Sequence, residues 1–350
     1  MAPRLPADIR TPAYVLDVAL LKRNLATAAR IRREAGVKIL LATKAWAIPA
    51  AFPLMRDTLD GTTASGEQEA RLGREEFGKE VHVYAPAYGP GEVERLVGIA
   101  DHIYFNSPGQ IARHLGTVQA AGRKVGIRIN PGYSNATLGG ALYDPCAPGS
   151  RFGTTIAEID QLPWGSIDIL HTHALCESLD DGSVGLIEHV GRTLGDYVRK
   201  VKAVNFGGGH FINKPHYNVD RLLVATVLDI HKNEHDIAIL DTSASTHMPD
   251  VLEVPYRPAI IGAGAPGEKP HSYILGGKTC MTGDVIGDYS FDKPLQPGDR
   301  LIFTDMMQYS FVKSTTFNGT PLPDLAMLEE DGTYRVIKTF GYEEFRRRLG

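Results

Sequence analysis

Lys44 closes the apolar run Lys38-Ile39-Leu40-Leu41-Ala42-Thr43, which has the composition of a short buried strand. A lysine at the end of such a strand in a β/α domain faces the side where these domains build their sites. Apolar surroundings lower an ammonium's pKa, and a neutral amine is what attack on a carbonyl carbon requires. The plainer reading is a solvated lysine after a strand. Phe206-Gly207-Gly208-Gly209-His210 follows a second strand-like run. Three glycines let the backbone approach an anion and turn several N–H groups toward it, as phosphate loops do, although an ordinary turn has the same composition. The spacing is not that of a dinucleotide-binding fingerprint.

His171-Thr172-His173-Ala174-Leu175-Cys176-Glu177 puts two imidazoles, a thiol and a carboxylate in seven residues. No CxxC or HExxH partner accompanies them, so no metal is expected; a histidine ring against a flat cofactor is the preferred functional reading, and a buried hydrogen-bonded histidine the plain one. Gly276-Gly277-Lys278-Thr279-Cys280-Met281-Thr282-Gly283-Asp284 holds a thiol close to a carboxylate, a pair able to deliver a proton or bind an amine, or else a surface turn. Tyr309 could offer a hydroxyl to a phosphate or pack at an interface. The three cysteines, Cys146, Cys176 and Cys280, are far apart, which argues against a disulfide framework; small buried hydrophobes are the simplest reading of each.

These groups need elements to position them. Between residues 38 and 206, strand-like runs recur at 38–43, 61–64, 81–85, 102–105, 125–129, 167–171 and 202–206, separated by helix-like stretches such as 67–77, 91–99, 108–120 and 185–201. That alternation predicts parallel strands covered by helices, a (β/α) barrel first and an open doubly wound sheet second. After about residue 221 the pattern changes to strands at 223–230, 236–240, 271–275, 300–303 and 334–339 between Gly- and Pro-rich turns, which predicts an antiparallel β domain. The run 13–17, a strand before a helix at 20–33, could belong to either domain. The expected division is a barrel over 18–220 and a β domain from 1–17 and 221–350.

The bulk properties are those of a soluble globular chain: 350 residues, 43% hydrophobic, 22% charged, formal net charge −4. The charge gives no reason to bind nucleic acid, no apolar run is long enough for a signal peptide or a membrane span, and a cytoplasmic location is expected.

In this order the motifs resemble the alanine-racemase-like fold of pyridoxal-phosphate enzymes, and within it the carboxynorspermidine/carboxyspermidine decarboxylase family. The likeness runs from Thr11 to Leu322 and is most specific at 38–44, 60–73, 143–153, 173–177, 239–258, 279–291 and 315–322, notably Ile239-Leu240-Asp241-Thr242-Ser243-Ala244 and Tyr143-Asp144-Pro145-Cys146-Ala147-Pro148-Gly149-Ser150-Arg151. It implies a TIM-like barrel plus a β domain, with pyridoxal 5'-phosphate as cofactor. Lys44 would hold that cofactor covalently, His173 would stack on its ring, Arg128 would lie near the ring, and Gly207, Gly208, Gly209 and Tyr309 would bind its phosphate. Cys280 would donate a proton after carbon dioxide leaves. Asp284 and Asp241 would contact the substrate amine, with Cys280 and Asp284 coming from the second subunit of a homodimer.

The likeness also exposes a gap. Seven strands are countable where eight are implied, and the Glu-Pro-Gly motif that ends the last barrel strand of relatives occurs nowhere in the chain. The shortfall is roughly thirty residues, one strand-plus-helix unit. Two accounts are open: a sequence that omits a segment the molecule has, which the intact flanking motifs favour, or a shortened chain. Gly132, Lys278 and Gln308 also stand where relatives commonly have Glu, Pro and His. The expected function is decarboxylation of carboxynorspermidine or carboxyspermidine. Alternatives are decarboxylation of a simpler amino acid of the diaminopimelate or ornithine type, an inactive regulatory homologue lacking the Glu-Pro-Gly strand, and, more remotely, a flavin-dependent barrel.

Overall fold

A computed structural model describes residues 5–135, 144–176, 178–210 and 221–350. The chain divides into two compact units, one formed by 1–26 with 216–350 and the other by 27–215.

Unit 27–215 is built on seven parallel strands. Following β1 (Ala13–Asp17) of the other unit, these are β2 (Leu40–Ala42), β3 (Gly61–Ala64), β4 (Glu80–Tyr84), β5 (His102–Phe105), β6 (Lys124–Arg128), β7 (Ile169–His171) and β8 (Ala203–Asn205). They pair in chain order from β2 to β8, so among the described residues the sheet is open, with β2 and β8 at its ends. All seven expected strands are present, and no eighth is found among the described residues. This is the incomplete TIM-like barrel that the strand count implied.

Successive side chains of a strand point to opposite faces, and parallel pairing brings like faces into register. Val81, Val83, Ile103, Phe105, Val125, Ile127 and Leu170 fall on one face and pack into a single buried apolar cluster. The alternate positions carry Glu80, His82, Tyr84, His102, Tyr104, Arg128, His171 and Asn205. The sheet thus has one apolar and one polar face, unlike a barrel interior filled with branched aliphatics. Gly126 makes room on the polar face: a Cβ there would lie 2.2 Å from the Tyr104 ring, its neighbour across the ladder.

The covering helices begin as their sequences require. Ser107 caps the helix Pro108–Ala120 by accepting the Gln110 N–H at 3.3 Å, with proline in the first turn. Asp17 accepts the Leu20 N–H at 3.0 Å at the head of the helix Val18–Ala35. The helix expected over 67–77 is α-helical for Glu67–Leu72 and then widens to a π turn over Gly73–Phe77.

The other unit holds β1 with β9 (Arg221–Asn233), β10 (His235–Leu240), β11 (His271–Gly276), β12 (Val285–Phe291), β13 (Arg300–Thr304), β14 (Asp324–Leu328) and β15 (Tyr334–Lys338). The order is β12-β11-β10-β9-β1-β14-β15, with β13 pairing off β9. The expectation of an antiparallel domain needs correcting: β1 with β14 and β10 with β11 run parallel, so the sheet is mixed. The physical reason is connection length, since residues 241–270 between β10 and β11 suffice for a crossover that a hairpin does not need. The strand expected at 223–230 is longer than its sequence run, since β9 continues to Asn233 and reverses on Glu234 at φ +58°. Among the described residues no helix is long and apolar enough to cross a membrane.

Burial holds His171 at about 3 and His247 at about 4, against an ordinary value of 6.5. His247 is fixed on both ring nitrogens, by Thr242 Oγ1 at 3.1 Å and the Pro321 carbonyl at 3.0 Å. The unfolded chain therefore binds these protons at higher pH than the folded one. Their stabilising contribution is complete above 6.5 and is lost as pH falls toward the folded values. Urea unfolding between about pH 8 and pH 5 should show stability flat at first, then dropping by roughly 2 kcal/mol per histidine by about pH 5. His247→Gln should shrink the drop.

Candidate active site

The C-terminal ends of β2, β6, β7 and β8 carry Lys44, Arg128, His173 and the glycine segment. The chain turns at once after β2, where the Ala42 carbonyl accepts the Ala45 and Trp46 N–H groups at 3.0 and 3.2 Å and leaves Lys44 at the bend. The Lys44 side chain reaches solvent. Even so, loss of water around its ammonium, followed by repulsion from Arg128, lowers its pKa, and Glu69 opposes the shift. Glu69 was not singled out from sequence. Its Oε2 accepts Thr43 Oγ1 at 2.9 Å and the Ser65 N–H at 2.8 Å, tying the ends of β2 and β3 together beside Lys44. Its place in the first turn of a helix directly after a strand was the available signal.

Arg128 ends β6 and is buried. Its guanidinium lies 4.9 Å from the centre of the Tyr84 ring and 4.4 Å from that of Phe152, an aromatic clamp that fixes the fork, and Nη2 donates to the His173 carbonyl at 3.2 Å. Burial lowers its pKa, with Tyr84 acting against the shift. Two cations that penalise one another leave this end of the sheet electropositive, which favours an anionic ligand.

His173 stands two residues beyond β7. Its Nδ1 accepts the Gly208 N–H at 3.0 Å, which places the ring proton on Nε2. Burial, then Lys44 and Arg128, hold its pKa well below 6.5, so the ring is neutral. Gly207 and Gly209 have φ of +74° and +90°, and a Cβ at either would lie 2.5 Å from His173 Nδ1 or 2.2 Å from the Leu175 carbonyl oxygen. A Cβ at Gly208 would meet nothing closer than 3.6 Å. The Gly207 N–H donates to Asn205 Oδ1 at 2.8 Å and that of Gly208 to His173, so two of the three N–H groups expected to face a phosphate are committed inside the chain. Cys176 is exposed, and Glu177 lies outside the described residues.

The remaining residues belong to the other unit. Asp284 is buried and its carboxylate is a hub: it accepts Ser243 Oγ on both oxygens at 2.9 Å, the Ser245 N–H at 3.2 Å, and the Thr279 N–H and Oγ1 at 3.2 and 2.6 Å. A substrate amine would have to compete with these donors, so Asp284 shapes the loop it was expected to arm. Gly277 is required there, since a Cβ would fall 2.2 Å from Asp284 Oδ2. The loop presents Cys280 with an exposed thiol, and the Cys280 N–H is held at 2.9 Å by Asn318 Oδ1, a residue at φ +56° that sequence reading did not single out. Cys176 and Cys280 are thus not the buried hydrophobes of the simplest reading; Cys146 is half-buried, and none of the three forms a disulfide. Asp241 is buried against β9, accepting the Thr226 N–H at 2.8 Å, and burial raises its pKa. Tyr309 is exposed at φ +33°, in a stretch where Asp305 and Met307 also have positive φ and Met306 and Met307 are buried.

Comparison with known proteins adds four findings. A family described as "Pyridoxal-dependent decarboxylase, C-terminal sheet domain" matches residues 220–307. The chain is 41% identical to the carboxyaminopropylagmatine decarboxylase of Synechocystis sp., over 99% of this chain and 97% of that protein. It is 34% identical to the carboxynorspermidine/carboxyspermidine decarboxylase of Campylobacter jejuni, over 97% and 98%. The crystal structure of the Campylobacter jejuni carboxynorspermidine decarboxylase complexed with norspermidine superposes with a TM-score of 0.88 at 32% identity, covering 97% of this chain and 100% of that one. Both sequence alignments extend over 380 positions against a 350-residue chain, so at least 30 positions have no counterpart here. In number that shortfall is close to the roughly thirty residues of one strand-plus-helix unit.

The residues present fit pyridoxal phosphate: an amine of lowered pKa, a flat neutral ring, a clamped guanidinium and a turn that a Cβ would fill. Gly207→Ala should push His173 from its place and leave purified protein with less than about a tenth of the cofactor absorbance, at a cost of about 1–3 kcal/mol in stability. Gly208→Ala should retain both. Equal losses in the two variants would show that the contact between ring and turn is not what matters.

Proposed function

The chain belongs to the carboxynorspermidine decarboxylase family, pyridoxal-phosphate-dependent carboxy-lyases of polyamine precursors, and from that premise we propose that it decarboxylates a carboxyaminopropyl polyamine. The observation that carries the reading is the gathering of Lys44, Arg128, His173 and the Gly207–Gly209 turn at one end of one sheet. Carboxynorspermidine and carboxyspermidine are the substrates named for the relatives at 34% and 33% identity. Carboxyaminopropylagmatine, named for the relative at 41%, is favoured by that higher figure, which makes a guanidinium-ended substrate the one to test first.

In this reading Lys44 would hold the cofactor covalently, and its lowered pKa would supply the neutral amine that this requires. His173, a neutral imidazole whose Nδ1 accepts the Gly208 N–H, would pack against the cofactor. Arg128, clamped by Tyr84 and Phe152, supplies positive charge near the ring. The bound cofactor supplies the electron sink that decarboxylation needs. Cys280 donates the proton that replaces the carboxylate, its backbone held by Asn318 and its loop by Asp284. Asp241 braces β9 through the Thr226 N–H, and Tyr309 is the residue assigned to the phosphate. Cys280 and Asp284 serve the Lys44 of a second copy in a homodimer.

A second reading, an inactive homologue, draws on one observation: the chain has no Glu-Pro-Gly, the motif that supplies a carboxylate for the ring nitrogen in relatives.

Borohydride reduction followed by peptide mass spectrometry should find a pyridoxyl group on Lys44. Carbon dioxide release should be fastest with carboxyaminopropylagmatine and at least about tenfold slower with diaminopimelate or ornithine. Lys44→Ala and Cys280→Ala should each abolish turnover, and mixing the two should restore about a quarter of it, as expected when each site takes residues from both subunits of a two-fold dimer. An unmodified Lys44 with no carbon dioxide from any substrate would establish the inactive reading. Activity that stays lost on mixing would remove the shared site alone.

A further inference from the structure

The opposite ends of the strands hold a second cluster that the chemistry above does not use. Glu80 and His82 sit two residues apart on β4, hence on one face, and parallel register sets His102, the first residue of β5, beside His82. The two imidazoles stack at 3.9 Å between ring centres, 15° from parallel. One potential ligand atom from each of the three residues lies within 4.8 Å of the other two.

Several details distinguish this cluster from a chance grouping. Glu80 Oε2 and His82 Nε2 are 3.3 Å apart. Two ligands about 2.0–2.1 Å from a tetrahedral zinc ion are separated by about that distance. The far nitrogen of His82, Nδ1, is hydrogen-bonded to Tyr104 Oη at 2.9 Å, the kind of outer contact that orients a ligating imidazole and leaves Nε2 for the metal. His102 Nδ1 is buried without a hydrogen-bond partner, an acceptor or donor left unsatisfied that a bound ion would account for. Glu80 meets its neighbours with separate oxygens, Oε1 toward Lys38 and Oε2 toward His82, so Lys38 need not leave when Oε2 is used. Burial keeps both rings below the ordinary histidine pKa, which favours the neutral, ligating form.

We propose that Glu80, His82 and His102 form a site for a divalent transition cation of the zinc class at the N-terminal ends of β4 and β5. A carboxylate and two imidazoles are a donor set such ions take, with the remaining position left for water. Binding replaces the His82–Glu80 hydrogen bond by two metal bonds. The His82 ring keeps its charge and moves its proton from Nε2 to Nδ1, toward Tyr104. His102 closes on the ion from its stacked position. The site lies away from Lys44 and acts as a clamp between two central strands of an open sheet.

The test uses cofactor-loaded protein stripped of metal by dialysis against a chelator. Calorimetric titration with Zn²⁺ and visible absorption with Co²⁺ should both give one equivalent, the cobalt spectrum showing the strong bands of a tetrahedral site. Glu80→Gln and His102→Gln, chosen because both positions are only half-buried, should each weaken uptake at least about tenfold while leaving far-ultraviolet circular dichroism unchanged. The wild-type Tm should rise with zinc concentration, and that of the double variant should not. No stoichiometric uptake, or uptake unchanged in both variants, overturns the proposal.

Discussion

Everything in unit 27–215 depends on the two-residue alternation of side chains along parallel strands in register. One set of alternate positions makes the apolar cluster of Val81, Val83, Ile103, Phe105, Val125, Ile127 and Leu170. The other set is thereby committed to the opposite face, and it carries His82, Tyr104, Arg128 and His171. A slip of one residue in any ladder would bury the polar set against the helices. The same constraint that packs the core therefore determines which side chains meet at each end of the sheet: Lys44, Arg128 and His173 at one, Glu80, His82 and His102 at the other.

Much of this was legible in the sequence. The seven strands announce themselves as short apolar runs between helical stretches, and Lys44 and His173 are found by their position at strand ends. Two strands of the other unit were not anticipated, for physical reasons. Asp324–Leu328 is buried at every position, so it shows no alternation, and it is only five residues long. Val285–Phe291 contains Gly287 and Asp288, residues that pair poorly in strands. The role of Asp284 was hidden because it depends on Ser243, Ser245 and Thr279 converging from separate segments. Glu80, His82 and His102 stood in plain view, but only the β4–β5 register makes them neighbours.

The two units divide the candidate chemistry by type. One contributes cationic groups and a neutral ring on strand ends, where backbone ladders limit movement. The other contributes a thiol on a loop, and that loop is secured by a buried carboxylate rather than by secondary structure. Asp284 collects donors from both sides of the turn, Gly277 keeps clear of it, and Asn318 takes the backbone of Cys280 itself. The arrangement leaves the Cys280 thiol exposed while its backbone is held in a defined place.

The open sheet has a consequence beyond catalysis. At β2 and β8 the outward backbone groups have no ladder partner among the described residues. Amide and carbonyl groups are the same in every peptide, so these rims discriminate by length and timing rather than by side chain. An open edge of this kind can pair with any extended segment. For a folding chain, such an edge is as ready to pair with a second copy as with its own continuation, so unpaired edges are where chains of this class associate wrongly.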